Sequence, residues 1–274
     1  MDESINPARG PVLVFDSGLG ALTVLSELAR ERSDADLIIV ADDAAFPYSR
    51  LQDEVLVARV VAVIERYIAA LHPSLVVIAC NTASTLALPA LRARFSIPFV
   101  GTVPAIKPAC AQSKSRRVSV LATTATVRRD YTRELIREFA GDCRVTLAGS
   151  GALASLAEAV LRGEGAPDTA IQAEIAPCFV DDGARTDTVV LACTHFPLIL
   201  DRLTRLAPWP VTWIDPAPAI ARRASQLLGP KIDRKCVPAR AYFTSGRPVS
   251  AALGRSLEAF GVRSVSEEAL TVPV

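Results

Sequence analysis

Two cysteines stand in near copies of the same short segment. Residues 75–82 read LVVIACNT and residues 188–195 read TVVLACTH. Each apolar run is short and rich in Val and Ile or Leu, which predicts a buried strand of a parallel sheet, and a helix is predicted to follow each cysteine. Cys80 and Cys193 are therefore expected at the carboxyl ends of strands, where open α/β sheets bind their ligands.

Two thiols in equivalent positions have a specific chemical use. The amino end of a helix lowers the pKa of a thiol and so favours the thiolate. One thiolate can remove a proton from one face of a carbon while a second thiol delivers a proton to the opposite face. The pair Cys80 and Cys193 therefore predicts inversion of a stereocentre.

The remaining cysteines lack the spacing of a disulfide framework or a metal site and are predicted to be reduced and structural; they are Cys110, Cys143, Cys178 and Cys236.

A second pair of similar segments indicates a duplication. Residues 12–18 and 118–124 are both apolar strands that run into small or hydroxylated residues, and the two strand pairs occur in the same order in each half. A chain of 274 residues is long enough for about two domains. Strands are predicted near 11–15, 36–41, 75–79, 98–100, 118–121, 144–147, 188–191 and 211–214.

These strands alternate with helical patterns, which predicts an α/β fold. We expect two pseudo-symmetric lobes, each a mostly parallel sheet flanked by helices, with the active site in the cleft between them. The chain is expected to cross at Thr102-Val103-Pro104 and at Asp215-Pro216, where proline ends a strand. The first lobe would then contain residues 1–102 and 217–274, and the second residues 103–216.

Charge and hydropathy exclude several classes of partner. The chain has 30 Lys and Arg against 29 Asp and Glu, a net charge of +1, so we expect no nucleic-acid partner. The start at Met1 has no basic and apolar signal segment, and the most apolar helical stretch, 55–71, is interrupted by charges. We therefore expect a cytoplasmic protein with no membrane partner.

Five motifs together resemble one family. They are FDSGLG from Phe15, FPY from Phe46, ACNTAS from Ala79, VPAIKP from Val103 and ACTHFPL from Ala192. In this order they make the chain similar, almost from end to end, to the glutamate racemases of the cofactor-independent, two-cysteine Asp/Glu racemase family. The resemblance implies interconversion of L- and D-glutamate, with D-glutamate supplied for peptidoglycan synthesis.

The resemblance also implies roles for individual residues. Cys80 is expected to take the proton from D-glutamate and Cys193 from L-glutamate. Asp16 would support Cys80, while His195, helped by Glu158, would support Cys193. The substrate would be held by Asp16, Ser17, Tyr48, Ser49, Asn81, Thr82, Thr123, Thr194 and His195, together with backbone N–H groups.

The chain departs from the family pattern in four places. Ala21, Ser49 and Ala122 stand where the family has glycine, and Ser150-Gly151 replaces a Cys-Pro pair before Glu158. At Ser49 the change matters if the backbone needs a positive φ or a close approach to the substrate.

No cofactor and no metal are expected, because the chain lacks a complete Gly-rich phosphate motif and a recognisable Schiff-base lysine. Three alternatives stay open: an aspartate or hydantoin racemase of the same fold, a thiol hydrolase or transferase that uses one cysteine, and a noncatalytic amino-acid binding protein. A homodimer and activation by a cell-wall precursor are also left open.

Overall fold

The computed structural model describes residues 10–233, 237–267 and 269, so Cys236 lies outside the described residues. By its internal contacts the chain divides into two compact units. One contains Met1–Thr102 and Ala217–Val274, and the other contains Val103–Pro216.

The strands, in chain order, are β1 (Val12–Asp16), β2 (Leu37–Ala41), β3 (Leu75–Ile78), β4 (Phe99–Val100), β5 (Arg117–Thr123), β6 (Arg144–Ser150), β7 (Thr188–Ala192), β8 (Thr212–Ile214), β9 (Ala239–Phe243) and β10 (Val262–Ser266).

The helices are α1 (Ala21–Glu31), α2 (Asp53–Leu71), α3 (Asn81–Arg94), α4 (Ile106–Gln112), α5 (Thr124–Arg128), α6 (Asp130–Phe139), α7 (Leu153–Leu161), α8 (Asp168–Ile175), α9 (Leu200–Leu206), α10 (Ala217–Leu228) and α11 (Ala251–Ala259). Short 3-10 turns lie at Asp43–Ala45, Tyr48–Arg50, Ala176–Cys178 and Phe196–Ile199.

Each unit contains one sheet in which all neighbouring strands are parallel. The first sheet has the order β10-β9-β2-β1-β3-β4 and the second has the order β6-β5-β7-β8. The order β2-β1-β3-β4 is therefore the same as β6-β5-β7-β8, and the first unit adds β9 and β10. The predicted α/β class with two similar parallel sheets is confirmed.

The repeated order places a topological switch point in each sheet. From β1 the chain continues to β2 on one side and later to β3 on the other, and β5 has the same relation to β6 and β7. Ligands of open α/β sheets bind at the carboxyl ends of the two strands that flank such a point. Cys80 follows β3 and Cys193 follows β7, so each thiol lies at the switch point of its own sheet.

Burial explains why the central strands form. All residues of β1, β2, β3 and β7 are buried, as expected for strands covered on both faces by helices. Helix α2 buries Leu56, Val60, Val63, Ile64 and Tyr67, which recur at helical spacing along one face. These side chains pack in the same core as those of β1 and β3.

The eight predicted strands are all present, but β9 and β10 were not predicted. Strand β9 alternates buried and half-buried residues. Strand β10 lies at the edge of the sheet, and most of its residues are half-buried or exposed. Neither has the continuous apolar run that identifies a central parallel strand. Over the part of the chain that the structure describes, no helix is long and apolar enough to cross a membrane.

Candidate active site

Adjacent strand ends bring three polar residues together in the first unit. The backbone N–H of Ala79 donates to the carbonyl of Phe15 at 2.8 Å, which places Asp16 and Ser17 beside Cys80. The Cys80 thiol donates to Ser17 Oγ at 3.8 Å. The Gly18 N–H donates to Asp16 Oδ1 at 2.9 Å and so orients the buried carboxylate.

Cys80 is also the N-cap residue of α3. Its own carbonyl accepts the N–H of Ser84 at 2.8 Å, so the first turn of the helix begins directly at the thiol. The partial positive charge of a helix amino end favours an anion at this position, whether a thiolate or a substrate carboxylate. The predicted helix after Cys80 is confirmed.

Asn81 and Thr82 form the first turn of α3 and are 2% and 3% exposed. Among the described residues, neither Oδ1 nor Nδ2 of Asn81 has a hydrogen-bond partner. Burying an unsatisfied amide is costly, so such groups in folded proteins usually have a function. The Asn81 amide oxygen can accept hydrogen bonds from a ligand, and its NH2 group can donate two.

Tyr48 and Ser49 lie in the 3-10 turn Tyr48–Arg50. The Tyr48 hydroxyl donates to Asp42 Oδ2 at 2.5 Å, so it is already engaged with the protein. Burial, followed by the charge of Asp42, raises the pKa of Tyr48 well above its usual value, so the phenol stays protonated. Tyr48 is therefore better placed to offer a ligand its ring and backbone than its hydroxyl.

The replaced glycines are accommodated without backbone strain. Outside glycine, the described residues with a positive φ are His72 and Arg116. Ser49 is not at such a position, and Ala21 begins α1 while Ala122 lies within β5. None of these three positions therefore needs the conformational freedom of glycine.

The helix predicted directly after Cys193 is wrong. Residues 193–195 form a turn, a 3-10 turn follows at Phe196–Ile199, and α9 begins only at Leu200. Pro197 has no N–H, so it cannot make the first α-helical bond to the Cys193 carbonyl. That carbonyl instead accepts the Phe196 N–H at 3.2 Å, three residues along, as in a 3-10 turn.

A chain of polar groups leads away from Cys193 within the second unit. The Cys193 sulfur lies 3.9 Å from His195 Nδ1, and His195 Nε2 lies 3.0 Å from Glu158 Oε1. Glu158 Oε2 in turn accepts hydrogen bonds from Arg162 at 3.2 and 3.4 Å. His195 is 2% exposed and Glu158 is 5% exposed. An imidazolium at His195 would be stabilised by Glu158 and would stabilise a thiolate at Cys193.

The start of α7 explains how Glu158 is held. Ser150 Oγ accepts the Leu153 N–H at 2.9 Å and donates to Glu174 Oε2 at 2.5 Å. The same Glu174 oxygen accepts the N–H groups of Gly151 and Ala152. Ser150, at the position of the family's Cys-Pro pair, therefore satisfies the first N–H of the helix that carries Glu158, two residues before the N-cap Ala152.

Two threonines complete the second group of site residues. Thr123 is the N-cap of α5 and its Oγ1 accepts the Thr126 N–H at 3.2 Å. Thr194 Oγ1 lies 3.5 Å from His195 Nδ1. Both are buried at the carboxyl ends of β5 and β7, which are neighbours in the sheet. The structure thus groups Asp16, Ser17, Cys80, Asn81 and Thr82 in one unit and Thr123, Glu158, Cys193, Thr194 and His195 in the other.

The remaining described cysteines have the character of structural residues. Cys110, Cys143 and Cys178 are buried and free. Burial raises the pKa of Cys178 to about 12, and burial together with a hydrogen bond that the Cys110 thiol donates to Cys143 raises that of Cys110 to about 12. Both stay protonated and unreactive at neutral pH. Within the described residues, no group of three or more His, Cys, Asp or Glu side chains could hold a metal ion.

Three residues of this constellation were missed from the sequence. Arg162 follows Glu158 by one helical turn, a spacing that could have indicated an ion pair on α7. Asp42 and Arg59 form an ion pair at 2.6 Å beside Tyr48, but they lie on different elements and no local pattern connects them.

Comparisons with known proteins agree with this geometry. Residues 12–224 match the protein family described as Asp/Glu/Hydantoin racemase. The glutamate racemase of Brucella canis is 51% identical over 265 residues, which cover 95% of each chain.

Two solved structures are similar over almost their whole length. Escherichia coli glutamate racemase in complex with L-glutamate and the activator UDP-MurNAc-Ala has a TM-score of 0.87 at 38% identity, covering 97% of this chain and 100% of that one. A glutamate racemase isoform from Bacillus anthracis has a TM-score of 0.81 at 25% identity, covering 97% and 99%. The chain belongs to the Asp/Glu/Hydantoin racemase family.

Proposed function

We propose that this chain interconverts L- and D-glutamate by proton transfer between the substrate and two thiols, Cys80 and Cys193. It is a glutamate racemase, an isomerase whose product D-glutamate is used in peptidoglycan synthesis. The observation that carries the mechanism is the equivalent position of the two thiols, one at the β1–β3 switch point and one at the β5–β7 switch point.

Each direction begins at a different thiolate. With D-glutamate, the Cys80 thiolate takes the α-proton, and the Cys193 thiol donates its proton to the opposite face of the resulting carbanion. L-glutamate is released, and the enzyme is left with a Cys80 thiol and a Cys193 thiolate. With L-glutamate the same steps run in reverse. No atom is gained or lost, and side chains alone move the protons.

The supporting residues divide between the two thiols. Ser17 can donate its hydroxyl to the Cys80 thiolate, because a hydroxyl acts as donor or acceptor as required. Asp16 fixes the turn that holds Ser17. His195, with Glu158 and Arg162 behind it, stabilises the Cys193 thiolate as an imidazolium. This division assigns Asp16 to the Cys80 side and His195 to the Cys193 side.

Substrate binding is assigned to short polar groups. Asn81 offers an unsatisfied buried amide, and Thr82 lies in the same first turn of α3. Ser17, Thr123 and Thr194 offer hydroxyls. Tyr48 and Ser49 contribute the backbone of their turn. Because one α-carbon must be reached from both faces, this mechanism requires a single glutamate to touch residues of both units.

Glutamate is favoured over the alternative substrates of the family. An aspartate or hydantoin racemase would keep both cysteines, and the matching family includes such enzymes. The relative at 51% identity and the solved structures at 38% and 25% identity are all glutamate racemases. A substrate screen with glutamate, aspartate and hydantoins, followed by circular dichroism, separates these specificities.

The mechanism is tested by exchange in deuterium oxide without added cofactor. The unaltered chain should racemise both enantiomers and introduce deuterium at the α-carbon. Cys80→Ala and Cys193→Ala should each lower racemisation by about a thousandfold, the scale of a lost acid or base.

The two variants should differ in a second readout. Cys193→Ala retains Cys80 and should exchange the α-hydrogen of D-glutamate without inversion, whereas Cys80→Ala should do so only with L-glutamate. Cys110→Ala, which alters a buried thiol outside the site, is the matched control. Near-normal racemisation by either site variant would contradict the two-thiol mechanism.

Three expectations about partners and location stay predictions. The Escherichia coli enzyme was solved with L-glutamate and the activator UDP-MurNAc-Ala, and its 38% identity to this chain supports activation of this chain by such a precursor. The homodimer and the cytoplasmic location rest on the sequence alone.

A further inference from the structure

A buried polar cluster lies at the carboxyl end of β2, next to the Cys80 side of the site. We call it the Asp42 cluster; it consists of Asp42, Tyr48, Arg59 and Thr244. Arg59 donates to both oxygens of Asp42, at 2.6 and 2.7 Å. Tyr48 and Thr244 donate to the same carboxylate at 2.5 and 2.6 Å. Asp42 is fully buried, and the Arg59 side chain is 13% exposed.

The cluster is connected to the reacting thiol through Tyr48. The Tyr48 ring lies 6.3 Å from that of Phe15, the residue before Asp16, and Tyr48 belongs to the same buried cluster as Cys80. The Asp42 N–H donates to the Asp16 carbonyl at 2.9 Å. Besides burial, negative charge on Asp42 and on Cys80 raises the pKa of Tyr48, so both groups lie within electrostatic range of the phenol.

This neighbourhood creates an electrostatic problem for Cys80. Asp42 and Cys80 both lie near the Tyr48 phenol, and a buried carboxylate in the surroundings of a thiol opposes formation of the thiolate, because like charges destabilise each other in a low-dielectric interior. Arg59 cancels the charge of Asp42 through two hydrogen bonds. A purely structural role is a weak explanation, since a buried ion pair contributes little net stability compared with apolar packing.

We propose that Arg59 is a positioning residue for Cys80: by neutralising Asp42 it holds the neutral Tyr48 phenol against the site and allows Cys80 to ionise. Arg59 acts through Asp42 and Tyr48 and does not touch the substrate. This assignment deepens the proposed function, on which it rests for the role of Cys80. Among the described residues, the titratable and charged groups at this end of the sheet include Asp16, Asp42, Asp43, Tyr48, Arg50, Arg59 and Arg247.

The test measures ionisation of each thiol separately. The rate of iodoacetamide alkylation is followed against pH, and the Cys80 and Cys193 peptides are quantified by mass spectrometry, since the thiolate is the reactive form. The Cys80 midpoint is the pH at which the alkylation rate of Cys80 reaches half its maximum. Arg59→Gln should move this midpoint to higher pH and Asp42→Asn should move it to lower pH, each by on the order of one unit. The Cys193 midpoint should stay in place.

Charge and structure are separated by three further variants. Arg59→Lys keeps the charge and should retain a Cys80 midpoint near that of the unaltered chain. The double variant Asp42→Asn, Arg59→Gln removes both charges and should return the midpoint toward the original value. Arg32→Gln removes a buried guanidinium from Asp34 at the amino end of β2 and should reduce stability without moving either midpoint.

The outcomes decide the proposal. Unmoved Cys80 midpoints in Arg59→Gln and Asp42→Asn, or an equal shift in Arg32→Gln, would overturn it. If Arg59→Gln does not fold, Asp42→Asn and the double variant give the same decision, because they predict different midpoints. Alkylation does not require turnover, so a failure to racemise glutamate would contradict the proposed function without affecting this measurement.

Discussion

Cys80 and Cys193 are equivalent in the topology but different in their surroundings. Cys80 begins an α-helix and donates to Ser17. Cys193 begins a turn and lies beside His195, which is connected to Glu158. In the proposed mechanism, a helix amino end and a seryl hydroxyl stabilise one thiolate, and an imidazole paired with a carboxylate stabilises the other. The two thiols are expected to respond to different mutations.

At the residue scale, we predict that His195→Asn lowers kcat for L-glutamate by about tenfold more than for D-glutamate, since only the reaction from L-glutamate starts at the Cys193 thiolate. Glu158→Gln should act in the same direction with a smaller loss, because Glu158 acts through His195. Asp16→Asn should show the opposite preference.

Because enantiomers have equal free energies, kcat/KM must fall equally in both directions, so kcat and KM are measured separately. Equal fractional losses of kcat in both directions would contradict the side-specific roles.

At the element scale, buried polar contacts fix the loop between α1 and β2. Arg32 ends α1 with two hydrogen bonds to Asp34, at 2.7 and 2.8 Å, and also donates to the carbonyls of Ser225 and Gly229 at the end of α10. Both partners of this ion pair are at most 5% exposed. The pair therefore connects α1, α10 and the start of β2 at the end of the sheet opposite to Cys80.

This ion pair should make stability depend on pH. The Arg32 guanidinium, assisted by the Ile232 N–H, holds the pKa of Asp34 well below its usual range even though burial of the carboxyl raises it. A pKa lower in the folded state means that the stabilisation is present above the unfolded pKa of about 4 and is lost as pH falls below it.

We predict that Asp34→Asn lowers the free energy of unfolding at pH 7 by about 3 kcal/mol, because it leaves Arg32 buried without its counterion. The variant should also lose less stability than the unaltered chain between pH 4 and pH 3. Urea unfolding at pH 3, pH 4 and pH 7 measures both effects. Glu65→Gln, which breaks the exposed ion pair between Glu65 and Arg94, is the control variant. An unchanged acid dependence in Asp34→Asn would show that other carboxylates are responsible.

At the scale of the whole molecule, the two units repeat one strand order and each supplies one thiol. The first unit adds β9 and β10, and the turn after β9 provides Thr244 to the Asp42 cluster. The C-terminal part of the chain thereby contributes to the surroundings of Cys80. The second unit has no equivalent addition among its described strands. Cys193 instead lies beside His195, which is paired with Glu158 of the same unit.

The proposed mechanism predicts protection in both units when one substrate binds. Saturating D-glutamate should slow backbone hydrogen exchange around Ser17 and Asn81 in one unit and around Thr123 and Thr194 in the other, because bound ligand suppresses local opening. Amides of α6 and α11 serve as internal references in the same sample. Protection confined to one unit would contradict a single glutamate shared by the two thiols.

The central strands could be predicted from the sequence because they are buried on both faces. Continuous apolar runs such as those before Cys80 and Cys193 are a local signal, and the polar residues that follow them mark the strand ends. The turn after Cys193 also had a local signal, Pro197, whose missing N–H prevents an α-helix from starting there. The positions of the thiols after two apolar strands, the eight predicted strands and the α/β class could therefore be read from the sequence alone, whereas the order of the strands in each sheet came from the structure.

Tertiary structure decided what no local pattern contains. Strand β9 pairs with β2, and β10 pairs with β9 at the edge of the sheet, where positions away from the core accept polar residues that would not form a central strand. The hydroxyl of Tyr48 is directed to Asp42 by Arg59 and Thr244, which come from α2 and from the turn after β9. Glu158 reaches His195 because α7, whose first N–H bonds Ser150, packs beside the turn after β7. Such contacts join residues far apart in the chain, so their existence depends on how the elements pack and not on any one segment.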